Sequence, residues 1–387
     1  MIKLSKVSQS IQPSLTRKLF NLAQGYDDVI DFTLGDPDLP THQAIKDAGC
    51  KAIQDGNTRY SQNAGLLRLR ETISARYDRT ENLHYEASNE IIVTVGAMEG
   101  LFLALMSILD VGDEVIIPGP YYVNYPQMVQ MCHGVPIIID NAVSNNWDFD
   151  VANIEKAITD KTKALIINTP ANPTGKIISR NVINDLAELA KKYDIVVISD
   201  EVYKCLIYDN KSFDSIAGIE GMRERTIIVN SLSKEFCMTG WRIGYVLAPE
   251  EVIASMTKFQ ENVAACAPLP SQYAAIEALS AREDYSANMR NVFLSRRNLL
   301  VDGIKSIPLL DCNVPEATFY LMVDISKTGM TSEQFAIELL KAVHVAVVPG
   351  ISYGDCCDRY VRMAFTIDEK KIREGLNRIR KFTEILS

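Results

Sequence analysis

No apolar run in this sequence is long enough to cross a membrane. The longest mainly apolar stretch, residues 101–109, contains Ser107 and falls far short of the ~20 residues a bilayer demands. The opening residues, Met1-Ile2-Lys3-Leu4-Ser5-Lys6, lack the apolar centre of a signal peptide, so a cytoplasmic location is expected. Positive charge is in deficit: 40 Lys and Arg against 49 Asp and Glu give a net charge of −9. That balance argues against a nucleic-acid or anionic-membrane partner, while a local basic pocket is compatible with it. Histidine is scarce, and His42, His84, His133 and His344 are too scattered to form a metal-ligand cluster, so no metal is expected. The eight cysteines show no Cys-x-x-Cys spacing and are expected to be mostly buried, inert thiols of a reducing compartment. A bridge between the adjacent Cys356 and Cys357 would be strained. Internal repeats and low-complexity segments are absent.

What is present is the mixture of an ordinary globular protein: 387 residues, 47% hydrophobic and 23% charged. A chain of this length suggests two or three domains and can bury a large core without disulfides or a structural metal. The first forty residues read as an arm and loop, with Gln12-Pro13-Ser14, a short strand at 29–32, and Gly35-Asp36-Pro37-Asp38. From about 45 to 280, strands alternate with helices. Short apolar runs at 91–95, 114–117, 135–139, 164–168, 195–199, 226–230 and 245–248 read as strands. Residues 97–109 and 179–193 carry helical character. Continuous apolar strands separated by helices imply a mostly parallel sheet covered on both faces. Beyond 281 the pattern becomes α+β: helix 288–307, strand 318–323, helix 331–343, strands 345–348 and 360–364, and a last helix from 368. The expected fold class is therefore α/β. It has a large domain at 46–282 and a smaller α+β domain built from both chain ends, 1–45 and 283–387.

Three segments can carry chemistry. The first is Asn230-Ser231-Leu232-Ser233-Lys234, followed by Thr239-Gly240-Trp241-Arg242-Ile243-Gly244. A lysine in a protected pocket can act as an amine nucleophile, and serines beside an arginine suit a phosphate. Taken alone, a lysine in a turn is more often a solvated charge. The second is Ser199-Asp200-Glu201-Val202-Tyr203, where Asp200 ends an apolar strand. Ligands gather at such ends, but a helix N-cap aspartate fits too. The third is Asn168-Thr169-Pro170-Ala171-Asn172-Pro173-Thr174-Gly175-Lys176. A P-loop reading fails, because Pro170 holds the first glycine position and Ile177 replaces the required Ser or Thr. A proline-rich turn remains.

Together, in this order and spacing, the three segments resemble the pyridoxal 5′-phosphate aminotransferases of fold type I, class I, the aspartate- and aromatic-aminotransferase-like enzymes. The likeness runs from about Gly35 to Arg362. It implies that Lys234 forms the Schiff base with the cofactor and later carries a proton. Asp200 keeps the pyridine nitrogen protonated, and Tyr203 and Asn172 donate to the phenolic oxygen. Ser231, Ser233 and Arg242 match phosphate ligands, as does the Gly96-Ala97-Met98 turn, which sits where a helix N-terminus is expected. Tyr122 matches the aromatic residue stacked on the ring. Arg362 matches the grip on the substrate α-carboxylate, with Gly35 and Asn172 beside the substrate. Tyr60 matches a tyrosine that reaches the phosphate of a neighbouring subunit, which implies a homodimer with shared sites. The implied reaction is ping-pong transfer, through pyridoxamine phosphate, of an amino group between an L-amino acid and a 2-oxo acid. Relatives that handle dicarboxylates in this way carry a lysine where this chain has Met98, which favours neutral or aromatic donors over aspartate. A C–S β-lyase of the same fold is the runner-up, and a non-catalytic regulator that binds pyridoxal phosphate comes third.

Overall fold

The computed structural model describes residues 2–11, 15–140 and 147–386. The Gln12-Pro13-Ser14 part of the expected arm lies outside the described residues. Among those described, the strands in chain order are β1 (Ile30–Asp31), β2 (Ile91–Thr94), β3 (Glu114–Pro118), β4 (Val135–Ile139), β5 (Thr162–Asn168), β6 (Val196–Asp200) and β7 (Thr226–Ser231). They continue with β8 (Gly244–Leu247), β9 (Asp311–Cys312), β10 (Tyr320–Asp324), β11 (Val345–Ala346), β12 (Val348–Pro349) and β13 (Tyr360–Ala364).

The large sheet has seven strands in the order β2-β8-β7-β6-β5-β3-β4. Neighbours from β7 to β4 run parallel, and β8 runs antiparallel to both β2 and β7. Its central strands are apolar because both faces are covered. Along β5, Leu165 and Ile167 pack with Val197 of β6 and with Ile183, Leu186 and Ala190 of helix Arg180–Tyr193. The alternate residues Ala164, Ile166 and Ile198 pack with Leu101, Ala104 and Leu105 of helix Gly96–Ile108 on the other face. Strand side chains alternate faces, so burying both removes the polar half of the usual period-2 pattern.

A second sheet, β12-β13-β10-β9, is antiparallel and comes from the C-terminal third. Helices Ala287–Lys305 and Glu369–Leu386 supply Phe293, Leu300, Ile372 and Ile379 to the core against it. Thr331 opens helix Ser332–Val343 with a capping box closed by Gln334, satisfying two otherwise orphaned backbone donors. The two chain ends meet where β1 pairs in parallel with β11.

Four expectations need correction. The N-terminal arm contains helices Lys6–Ser10 and Leu15–Ala23 and is not simply irregular. The strand expected at 29–32 is only Ile30–Asp31. Residues 345–348 are not one strand, because Val345 and Ala346 pair with β1 whereas Val348 and Pro349 pair with β13. The chain leaves one sheet for the other at Val347, a change of partner that an unbroken apolar run does not display. Finally, only Cys132, Cys312 and Cys357 are buried; Cys50 is exposed, the other four are intermediate, and all eight are free thiols.

Candidate active site

β5, β6 and β7 end side by side in Asn168, Asp200 and Ser231, at the carboxyl edge where parallel α/β sheets collect ligands. A cavity of ≈ 410 Å³ opens there. It brings together every expected site residue except Gly96 and Tyr60: Gly35, Ala97, Met98, Tyr122, Asn172, Asp200, Tyr203, Ser231, Ser233, Lys234, Arg242 and Arg362 all line it.

Asp200 is fully enclosed. Its Oδ2 accepts from Tyr125 Oη at 2.6 Å and its Oδ1 from the Val202 N–H at 3.3 Å. Burial raises its pKa to about 6, with these two hydrogen bonds opposing the shift. The neighbouring Glu201 turns away from the cavity. It accepts from Ser215 Oγ at 2.6 Å and Ser199 Oγ at 3.1 Å, and pairs with Lys204 at 3.4 Å. One acid of the pair thus faces the ligand space while the other is held in the protein interior.

Lys234 lies in a short helix, Leu232–Glu235, capped by Ser231, rather than in an open turn. Its Nζ donates to the Gly35 carbonyl at 2.7 Å. Burial lowers its pKa to about 8; Asp36 opposes that shift, and the positive charges of Arg242 and Arg362 add to it. A larger fraction of neutral amine near neutral pH is what a nucleophilic lysine needs.

Ser231 Oγ lies 2.9 Å from Ser233 Oγ and accepts from the Ser233 N–H at 3.1 Å. Arg242 Nη1 donates to Thr239 O at 3.0 Å. Gly96, which starts helix Gly96–Ile108, has φ +74°, and a Cβ there would sit 2.6 Å from Arg242 Nη2. Glycine therefore lets the guanidinium close on a helix N-terminus, where backbone N–H groups and the helix dipole favour an anion.

Arg362, on β13, is buried. Its Nη1 donates to Asn172 Oδ1 at 3.2 Å and its Nη2 to the Thr33 carbonyl, while its buried Nε has no partner. Asn172 is fixed in turn by its N–H to Asn168 Oδ1 at 2.8 Å. Met98 Sδ lies 3.7 Å from Tyr122 Oη and 3.8 Å from Asn124 Nδ2, and Asn124 Nδ2 also donates to Tyr122 Oη at 3.2 Å. Tyr60 is 85% exposed and stands outside the cavity.

These groups fit pyridoxal phosphate. A buried carboxylate without a cation partner in its hydrogen-bond set suits a protonated ring nitrogen. The hydroxyls and the helix N-terminus suit a phosphate. The orphaned Nε of Arg362 suits a carboxylate. Sequence reasoning missed Tyr125, Tyr320, Asn124 and Asn168. The run Tyr121-Tyr122-Val123-Asn124-Tyr125, placed just after the end of β3, concentrates polar aromatic groups at the same sheet edge and was the available signal for two of them.

The sequence profile of the family described as aminotransferase class I and II matches residues 27–379. An aspartate aminotransferase of Pyrococcus abyssi is 39% identical over 373 residues, covering 96% of each chain. An aromatic-amino-acid aminotransferase of Thermococcus litoralis is 36% identical, covering 98% of this chain and 97% of its own. The solved aspartate aminotransferase of Thermus thermophilus with maleate superposes with a TM-score of 0.93 at 35% identity, covering 98% of this chain and all of its own.

Proposed function

The chain belongs to the class I and II aminotransferase family, whose members use pyridoxal 5′-phosphate, and from that premise we propose a transaminase that prefers neutral or aromatic amino donors to aspartate and works in two ping-pong half-reactions. When bound, the cofactor supplies an aldehyde carbon that accepts an amine and a pyridinium ring that draws electrons. Asp200 Oδ atoms hold the proton on the ring nitrogen, and Tyr125 keeps that carboxylate oriented. Lys234 Nζ serves first as the nucleophile and then moves the proton from the substrate Cα. Tyr203 Oη and Asn172 Nδ2 donate to the phenolic oxygen. Ser231, Ser233, Arg242 and the N–H groups at 96–98 hold the phosphate, and Tyr122 covers the ring. Arg362 binds the α-carboxylate, with Thr33 O and Asn172 Oδ1 pinning its guanidinium. Gly35 borders the substrate.

The donor preference rests on one observation: Met98, with Tyr122 and Asn124, forms a wall of thioether, ring and neutral amide. A second carboxylate buried there without a partner would cost some kcal/mol, whereas apolar surface gains about 25 cal/mol per Å². In a panel of amino acids with 2-oxoglutarate, phenylalanine, tyrosine or leucine should show a higher kcat/KM than aspartate, with a cofactor absorbance change in each half-reaction. Aspartate leading the panel would overturn the preference.

The same reading includes a homodimer in which Tyr60 serves the partner's phosphate, a cytoplasmic location, and the division into a large domain at 46–282 with a smaller one at 1–45 and 283–387. Among the described residues, no helix is long and apolar enough to cross a membrane.

A further inference from the structure

Tyr320 stands where three of these groups meet. It opens β10, beside β13, and is 3% exposed at the cavity wall. Its hydroxyl lies 3.0 Å from Tyr203 Oη. The Arg362 guanidinium sits over its ring, 4.4 Å from the ring centre. Gly35, whose carbonyl receives Lys234 Nζ, has no room for a side chain because the Tyr320 hydroxyl fills that space.

Counting protons gives the pair a direction. Each phenol carries one proton, and without a third group either oxygen can donate. Once the Tyr203 O–H donates a hydrogen bond to a phenolic oxygen of the cofactor, its oxygen can only accept from Tyr320. Accepting a hydrogen bond polarises the Tyr203 O–H and makes it a stronger donor. We propose that Tyr320 is a positioning residue that acts through Tyr203 on the cofactor's phenolic oxygen, while its ring keeps the Arg362 guanidinium flat for the substrate carboxylate. The proposal rests on the pyridoxal-phosphate reading above. The groups facing Tyr320 are Arg362, Tyr203 and Asp36, and those facing Tyr203 are Tyr320, Tyr122 and Asp200. Tyr320→Phe removes one hydroxyl and leaves every other group in place.

The test is a pH titration of the cofactor's visible absorbance in the holoenzyme. A strong donor to the phenolic oxygen stabilises its anion and eases loss of the proton at Lys234 Nζ. Weakening that donor should raise the midpoint. Tyr320→Phe should move it up by about half a pH unit and lower kcat about fivefold with KM little changed. In a Tyr203→Phe background, adding Tyr320→Phe should leave the midpoint where the single change put it. Tyr320→Leu, which also loses the ring under Arg362, should raise KM for the amino donor several-fold, on the order expected for a lost cation–π contact. A Tyr320→Phe enzyme that titrates like the wild type, or the same shift in both backgrounds, would overturn the proposal alone. A wild-type chain that takes up no pyridoxal phosphate and shows no band to titrate would overturn the cofactor reading, and this proposal with it.

Discussion

Asp200 and Lys234 are placed against their own solvation. Burial holds Asp200 near 6 and Lys234 near 8, each displaced toward its neutral form. In the chain without cofactor, this arrangement costs stability. The unfolded Asp200 ionises near 3.8, so the folded form is at no disadvantage below about pH 4. The disadvantage grows as pH rises and is complete above about 6. Asp200→Asn keeps the shape and an acceptor for Tyr125 Oη. It should therefore stabilise the cofactor-free chain at pH 7 by up to about 3 kcal/mol and by well under 1 kcal/mol at pH 4. The same change should lower kcat by on the order of 10³-fold, because an amide cannot hold the ring nitrogen protonated. Denaturant unfolding at the two pH values and single-turnover kinetics check both halves. A gain independent of pH would show that the carboxylate is not the strained group.

At the scale of elements, the helix Arg180–Tyr193 shows what positions the site. Ser179 caps it, and Asp194, at φ +54°, ends it. Leu186 is fully buried against the same face as Leu165 and Val197, holding β5 and β6 where they present Asn168 and Asp200. Leu186→Ala should cost about 2–5 kcal/mol in urea unfolding, yet leave kcat near normal while the protein stays folded, since no cavity residue is touched. Burial was not what made an element legible: 135–139 is an edge strand with no fully buried residue and 360–364 carries Arg362, yet both read to the residue because β-branched and apolar residues are bounded there by breaks in the pattern. The arm helices, in contrast, are short, only five and nine residues, so propensity alone did not reveal them. The motif residues of the cavity were legible through the family resemblance that their order and spacing carry. Tyr125 and Tyr320 were not, because a tyrosine among aromatic and apolar neighbours reads as core. Their meaning lies in hydroxyl partners 75 and 117 residues away along the chain.

At the scale of the whole molecule, Tyr60 stands outside the cavity of its own chain. It projects into solvent, and other large apolar side chains are exposed as well, among them Ile53 at 55% and Val263 at 61%. In the proposed homodimer, a second copy covering Tyr60 would carry it to the partner's phosphate site, and the two-fold symmetry would do the same in return. Complementation follows from that geometry. In a hybrid of a Tyr60→Ala chain with a Lys234→Ala chain, one site combines the intact Lys234 of the first with the intact Tyr60 of the second, and the other site carries both lesions. Random reassortment of equal amounts makes half of the dimers hybrid, each with one whole site. Activity should thus recover to about a quarter of the wild-type value, although the Lys234→Ala chain alone is inactive. The assay mixes the two variants under conditions that allow subunit exchange, with gel filtration on the same samples. If activity stays at the sum of the two parents while exchange is seen to occur, or if the active enzyme elutes as a monomer, Tyr60 does not serve a neighbouring site.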